Sequence, residues 1–267
     1  MNASAGVGLV RSELRKISST RLWWGLLVGA VVYTAIQAAA NAALAGRDPG
    51  GGQPATAALG TAEAIRAVYA GSAFQGGYIF AMILGITGMT GEYRYQTITP
   101  TFLATPRRSR VVLAKMAAHL GVGVGYGLVA VLAALLVGGS VVLVRGHDPG
   151  FGADRLWPSI GLAVVAVGLW ALLGIGIGTL LRNQVLAVLV AVFVTFLVEP
   201  IATFVLAAND LGGVVRWLPT NASAALTSPG SSLLDYQPWW AGGLALLGYA
   251  VVLAALGMRL STHRDVT

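Results

Sequence analysis

The residues best suited to chemistry in this sequence lie in one polar segment, Gly91–Lys115, between two long hydrophobic runs. The segment carries five of the seventeen Lys and Arg residues, together with Glu92, Tyr93 and several Thr and Pro residues. Charges can set the register of a contact while aromatic side chains supply contact area, so this mixture suits recognition of a partner surface. The segment therefore predicts a docking loop.

Motifs for catalysis and nucleotide binding are absent from the sequence. The only lysines, Lys16 and Lys115, are followed by Ile17 and Met116, so no G-x-x-x-x-G-K-[ST] phosphate-binding loop exists. Neither H-E-x-x-H nor G-x-S-x-G occurs, and without cysteine there is no thiolate metal site and no thiol nucleophile. We expect no enzymatic activity, no metal site and no cofactor in this chain.

The elements that must position the polar segment are hydrophobic. The chain has 267 residues, is 56% hydrophobic and 10% charged, and has a mean hydropathy of +0.76, values typical of integral membrane proteins. A helix needs about 20 residues to cross a bilayer, and the charge-free runs of this chain are about that long. They do not show the alternation of apolar and polar residues that is typical of barrel strands. The sequence predicts an all-α integral membrane protein, one domain whose six spans lie at about 22–44, 72–90, 116–144, 160–181, 185–208 and 239–258.

Shorter amphipathic segments accompany these spans. Residues 9–21 place Val10, Leu14 and Ile17 on one helical face, which predicts a helix lying in the membrane interface. A solvated basic tail is the alternative, and removal of the first run as a signal peptide is another, although that run exceeds the about 7 to 15 apolar residues of such peptides. The last external loop, 209–238, holds two apolar stretches and predicts short helices.

Basic residues are distributed unequally over the connections between spans. Twelve Lys and Arg residues fall on the side that includes both termini and segment 91–115, and five fall on the other side. Because basic loops stay in the cytosol, we expect a plasma (inner) membrane protein with cytosolic termini. The net charge of +7 is spread over the ends of apolar runs, which favours membrane lipids over nucleic acid as partners.

Two features inside the predicted spans are candidate sites or contacts. Glu199 is an ionisable group within a hydrophobic run, which is costly and marks a possible intramembrane polar site. Because Pro200 follows it, the alternative is a structural residue where the helix breaks. Glycines at four-residue spacing, such as Gly174 and Gly178, permit close helix packing within one subunit or at a dimer seam.

The polar segment resembles the first cytosolic loop of bacterial type-2 ATP-binding-cassette (ABC) exporter permeases. The resemblance rests on E-Y-R-x-x-T beginning at Glu92, on the pair Thr105-Pro106, and on the basic residues up to Lys115. The sequence S-E-L-R-K-I-S-S-T-R at Ser12–Arg21 is similar to the interfacial helix of that family. The order of the elements is similar over nearly the whole chain.

This resemblance implies a function. It implies a permease subunit that exports hydrophobic or amphipathic cargo, driven by a separate nucleotide-binding ATPase subunit that holds ATP and Mg. A second permease copy would complete the transporter as a homodimer or a heterodimer. By similarity, segment 91–115 is the coupling loop, and its ATPase-docking residues are Glu92, Tyr93, Arg94, Thr97 and Thr101. The cargo path is expected along the second and fifth spans, with contacts from Phe74, Tyr78, Phe80, Met82, Phe193 and Phe196.

Two other functional classes stay open at this point. An ion-coupled secondary transporter would need no ATPase, but it typically shows internal symmetry and buried ion ligands, which are poor in this sequence. A non-transport membrane scaffold or anchor would tolerate changes in the charged loop that leave partner binding intact.

The charge asymmetry generates a prediction about topology. Single cysteines introduced as Gly51→Cys, Gly152→Cys and Ser231→Cys should react with a membrane-impermeant thiol reagent in intact cells, whereas Ser109→Cys should react only after permeabilisation. Labelling of Ser109→Cys with protection of the other three would reverse the orientation.

Overall fold

Helices form every regular element in the residues described by the computed structural model, 3–47, 56–96, 108–227 and 237–264. The helices are α1 Ala3–Ser18, α2 Leu22–Leu44, α3 Ala62–Arg66, α4 Ser72–Arg94, α5 Arg108–Val144, α6 Leu156–Leu180, α7 Gln184–Phe193, α8 Glu199–Ala208, α9 Gly212–Val215, α10 Pro219–Thr227 and α11 Trp239–Arg264. Two π-helical turns, Ala67–Gly71 and Val194–Val198, join α3 to α4 and α7 to α8.

Six of these helical segments are long and apolar enough to cross a membrane. Numbered as spans 1 to 6, they are Leu22–Leu44, Ala62–Arg94, Ser109–Val144, Leu156–Leu180, Gln184–Ala208 and Trp239–Leu260. Helix α1 precedes them, and the short helices α9 and α10 lie between spans 5 and 6. The predicted fold class is therefore confirmed.

Span 2 begins at Ala62 rather than at Ser72. The Thr61 hydroxyl accepts a hydrogen bond of 3.2 Å from the Ala64 N–H, which caps the first turn. Ala64 and Ile65 then bury their side chains in the bundle. The charged residues in this turn ended the hydrophobic run in the sequence, but they do not end the helix.

Helices extend into the polar segment 91–115 from both of the neighbouring spans. The helix of span 2 continues to Arg94, and α5 already begins at Arg108. A helix satisfies its own backbone groups in lipid and in water alike, so it can extend past the apolar run. Between these two helices the structure describes residues 95–96 only.

Span 5 passes through Pro200 without a break. Proline has no N–H to offer the carbonyl four residues earlier, and the π-helical turn Val194–Val198 directly precedes α8, which begins at Glu199. Such a widened turn accommodates the missing hydrogen bond while the chain stays helical. The predicted interruption at Glu199 and Pro200 is therefore wrong.

The core of the bundle is a close contact between spans 2 and 4. A Cβ atom at Gly174 would lie 2.1 Å from the Met82 carbonyl oxygen, and one at Gly85 would lie 2.2 Å from the Ala171 carbonyl oxygen. Gly178 meets the backbone of span 2 at Ile86 in the same way. Glycine is required here because the two backbones touch, so Gly174 and Gly178 pack within one subunit.

This contact predicts opposite outcomes for one substitution at two places in span 4. Gly174→Ala should destabilise the fold by about 1–3 kcal/mol, because its methyl group overlaps span 2. Gly161→Ala is the matched control, since nothing lies within 4 Å of its Cβ position. Melting temperatures of the purified proteins measure both, and an equal response of the two variants would contradict the contact.

Candidate functional site

Helix α1 turns its one acidic side chain towards the bundle. Leu9, Glu13 and Ile17 recur every four residues and so share one face of the helix. Glu13 is buried on that face, whereas Arg11 and Arg15 are exposed. The Glu13 carboxylate therefore lies against the neighbouring ends of spans 2 and 3.

Four charged side chains meet there and form what we call the basic-end cluster: Glu13, Lys16, Glu92 and Lys115. Lys115 Nζ lies 2.5 Å from Glu13 Oε2 and 3.0 Å from Glu92 Oε1. Lys16 Nζ lies 2.7 Å from one oxygen of each carboxylate. The side chains of Lys115, Glu13 and Glu92 are 2%, 5% and 6% exposed. Two acids balance two bases, which makes this burial tolerable.

The pKa values of the two α1 residues reflect this pairing. Burial raises the pKa of Glu13. The Lys115 charge and the hydrogen bonds from both lysines lower this pKa, and together they outweigh burial, so the net shift is downward. Burial lowers the pKa of Lys16, while its bonds to Glu13 and Glu92 raise it, and the net shift is upward. The Glu13 contribution to stability is lost as pH falls through its lowered pKa. The Lys16 contribution is lost as pH rises through its raised pKa, so both are present around neutral pH.

His119 continues the contact one helical turn beyond Lys115. Its ring is buried, and its Nδ1 lies 2.9 Å from the Lys115 carbonyl oxygen. The ring occupies the space left by Gly88 of span 2, where a Cβ atom would lie 2.1 Å from Nε2. Nε2 and Glu92 Oε2 have no hydrogen-bond partner among the described residues. Spans 2 and 3 are thus in contact directly behind the cluster.

The predicted docking residues divide between the interior and the surface. Glu92 was expected on the docking surface, but the structure buries its carboxylate in the basic-end cluster because it neutralises Lys115. Tyr93 is half-buried, with Arg182 Cζ 5.2 Å from its ring centre. Arg94 is exposed, and its guanidinium lies 3.4 Å from Gln184 Oε1. Thr97 and Thr101 lie outside the described residues.

A cavity of about 440 Å³ lies towards the opposite end of the bundle, which carries α9 and α10. Spans 1, 2 and 5 and helix α10 form its walls. Its hydrogen-bonding lining residues are Tyr33, Asn41, Gln75, Thr195, Thr220 and Thr227, and its aromatic lining residues are Phe74, Tyr78 and Phe196. We call this space the polar cavity.

Amide side chains connect the walls of the polar cavity. The Gln37 amide donates a hydrogen bond to Gln75 Oε1, and Asn41 Nδ2 donates one of 2.9 Å to Ser72 Oγ. Both bonds join span 1 to span 2. Amide contacts of this kind favour association of helices in lipid, where an unpaired polar group is costly.

The predicted cargo path is only partly assembled by the structure. Phe74, Tyr78 and Phe196 line the polar cavity. Met82 is fully buried where span 2 meets Gly174, Phe80 packs against Gly29 of span 1, and Phe193 is exposed on span 5. The first three therefore share one space, and the other three lie elsewhere.

Glu199 has a defined structural partner in the short helices between spans 5 and 6. It is buried, and its Oε1 accepts hydrogen bonds of 2.5 Å from both the backbone N–H and the hydroxyl of Thr220. Thr220 lies in the first turn of α10, whose free N–H groups and dipole favour a carboxylate. Glu199 thus ties span 5 to the start of α10.

Sequence reasoning missed the partners that make these sites. The burial of Glu13 could have been predicted, because its four-residue spacing with Leu9 and Ile17 places an acidic residue on an apolar helix face. Gln37 and Gln75 could have been found as amides inside two charge-free runs. That Lys115 would meet Glu13 depends on how α1 packs, which no local pattern specifies.

Comparison with known proteins identifies the class to which this architecture belongs. A family model described as ABC-2 family transporter protein matches residues 9–198, from α1 to the π-helical turn of span 5. The match covers well over half of the chain, and the chain belongs to this family. It is a multi-pass membrane permease of the ABC transporter class. Comparison with curated proteins finds no match.

The shared lysine generates the prediction for this site. Lys115→Met should lower the free energy of unfolding by about 3–5 kcal/mol, because it removes the cation shared by two buried carboxylates. The control is Arg110→Gln, an exposed basic residue on the same helix, which should change stability by less than about 0.5 kcal/mol. Melting temperatures in the same detergent measure both, and equal losses of stability in the two variants would show that the cluster does not stabilise the fold more than an exposed charge does.

Proposed function

We propose that this chain is the membrane subunit of an ATP-driven exporter, with a separate ATPase subunit docked at the basic end of the bundle. That end faces the cytosol, where ATP is available, and both termini lie on the same side. Membership of the ABC-2 family supports the permease role. The cargo is hydrophobic or amphipathic, in keeping with a path between apolar helices.

The observation that carries this proposal is the basic-end cluster. Glu92 lies two residues before the end of span 2, and Lys115 lies near the start of span 3, on either side of the connection 95–107. Glu13 and Lys16 add α1 to the same set of ion pairs. A force applied to the connection therefore reaches α1 and two spans through charges that cannot separate cheaply.

The docking surface in this proposal begins where the cluster ends. Arg94 and Tyr95 are exposed at the end of span 2, and Arg110 is exposed at the start of α5. These side chains offer charge and an aromatic surface to an ATPase groove, while Glu92 acts indirectly by holding the helix ends in place. Thr97 and Thr101 remain proposed contacts.

The cargo path in this proposal includes the polar cavity and is completed by a second permease copy. Gln75 lines the polar cavity and is exposed in the single subunit, so the open side of the cavity would leave a polar group of span 2 facing lipid, which is unfavourable. A second copy or a water-filled path would cover it. Homodimer and heterodimer both satisfy this requirement.

Copurification with charge-reversed variants tests the docking proposal. A P-loop ATPase should copurify with the full-length chain from its native membranes, and ATP hydrolysis should be recovered with it. Arg94→Glu should reduce that recovery several-fold, because an exposed interface charge contributes about 1 kcal/mol to pairing. Arg47→Glu is the control, since Arg47 is also exposed but lies at the other end of span 1.

Each outcome of that experiment has a definite meaning. Absence of any ATPase with the unaltered chain would contradict the ATP-driven mechanism and favour the secondary transporter. Equal recovery with Arg94→Glu and Arg47→Glu would place the docking surface elsewhere. Substitution of Glu92 is unsuitable for this test, because it breaks the basic-end cluster at the same time.

A further inference from the structure

The polar cavity has a lining whose chemistry selects among possible ligands. Its volume of about 440 Å³ falls within the range of small-molecule sites, which is about 300–1,000 Å³. Among the described residues that line it, hydroxyl, amide and aromatic groups occur, but no Asp, Glu, Lys, Arg or His. A ligand there would meet hydrogen-bonding groups without a counter-charge.

The amide of Gln75 is the group best placed to bind such a ligand. Its Oε1 already accepts a hydrogen bond from Gln37, but its NH₂ group makes no hydrogen bond within the described part of the chain. The Gln75 side chain is exposed to the cavity, whereas the Asn41 amide donates its hydrogen bond to Ser72 Oγ. One wall therefore offers a donor that is positioned by a neighbour and still unused.

Stacked aromatic rings give the polar cavity an apolar surface beside its hydrogen-bonding groups. Phe74 and Tyr78 stack with ring centres 4.9 Å apart, and Phe196 of span 5 lies 6.4 Å from Tyr78. The buried ring of Trp170 supports Tyr78 from behind at 4.6 Å. Phe74 and Tyr78 are largely buried and form a rigid backing, while the exposed Phe196 supplies most of the aromatic surface on which a planar group can stack.

The polar cavity is unfavourable for an ionised ligand, because the described residues that line it offer no opposite charge. Burying a charge without a partner costs far more than burying a hydroxyl that finds a hydrogen bond. Glu199 is the nearest acid in sequence to the lining residues Phe196 and Pro200, and its Oε1 is occupied by the two hydrogen bonds from Thr220. It therefore does not present that oxygen to a cationic ligand.

We propose that the polar cavity binds an uncharged amphipathic molecule, whose ring stacks on the aromatic wall and whose hydroxyl or carbonyl group bonds to the Gln75 amide. Identifying this ligand as the cargo rests on the proposed export function. The binding itself does not, because it needs neither ATP nor an ATPase.

Photolabelling of the full-length chain in lipid nanodiscs tests the binding directly. Three probes share the same trifluoromethyl-phenyldiazirine ring and differ only in the para substituent: a benzyl alcohol, a benzoic acid and a benzylamine. Labelling of Phe74, Tyr78 and Phe196 is measured by mass spectrometry and divided by labelling of the exposed Leu132 and Leu136 in the same sample. This ratio removes differences in how the probes partition into lipid.

The alcohol should label the cavity residues about five-fold more than either ionised probe after this normalisation, because a buried charge without a partner costs more than a hydrogen-bonded hydroxyl. Gln75→Leu should lower the normalised labelling by the alcohol about five-fold, as expected for the loss of one hydrogen bond, and Ala224→Phe, which fills the cavity from α10, should remove the labelling itself. Ser140→Ala, an exposed hydroxyl on span 3, should change neither.

Other results would overturn the proposal in distinguishable ways. Equal normalised labelling by all three probes would show an unselective apolar surface. Preference for the amine would show a cationic site governed by Glu199, and labelling that survives Ala224→Phe would place the probe elsewhere. Because the assay contains no ATPase, its failure is independent of the copurification result, and failure of copurification leaves the binding result standing.

Discussion

A buried ammonium group shared by two carboxylates holds the basic end of this bundle together. Lys115 lies on span 3, Glu13 on α1 and Glu92 on span 2, so a single side chain ties three helices that are distant in sequence. Replacing such a cluster with apolar residues could give an equally stable fold, so stability alone is a weak reason for having it. The charges add specificity, because an ammonium group between two carboxylates fixes the relative position of three helix ends in a way that apolar packing does not.

Span 2 connects this cluster to the polar cavity through the most constrained part of the core. Glu92 lies near one end of the helix, and Gln75 and Tyr78 lie on it some four to five turns away. Between them, Gly85 and the backbone at Met82 touch span 4, and Gly88 receives the ring of His119. A helix held by backbone contact on one side and by a buried ring on another has little freedom to bend. A displacement at its cluster end would therefore move the whole helix, including the turns that line the polar cavity.

The hydrophobic runs sufficed to predict the all-α class and the six spans, because lipid permits few other structures for such segments. The shorter amphipathic segments also predicted a helix before span 1 and short helices between spans 5 and 6. Helix ends were less predictable, since Glu63 and Arg66 end an apolar run without ending a helix. The break expected at Pro200 failed because a π-helical turn absorbs the missing N–H. The sites depend on contacts between segments 76 to 102 residues apart, as Glu92 and Lys115 with α1 show, and local periodicity contains no information about such contacts.

Span 5 differs from span 2 in how firmly it is held, and this difference bears on the cavity between them. Most of span 2 is buried in the subunit, whereas most of span 5 is exposed. Its ties to the rest of the chain include the hydrogen bonds of Glu199 to Thr220 and of Asn221 to Thr203. Both join it to α10, which forms another wall of the cavity. Span 2 is the most buried of the three spans around the cavity, and α10 is held to span 4 by the hydrogen bond of 2.8 Å from Trp170 Nε1 to Ser223 Oγ. Span 5 is thus tied through Glu199 and Asn221 to a helix that the core already holds, and it meets span 2 across the cavity where the Phe196 ring centre lies 6.4 Å from that of Tyr78.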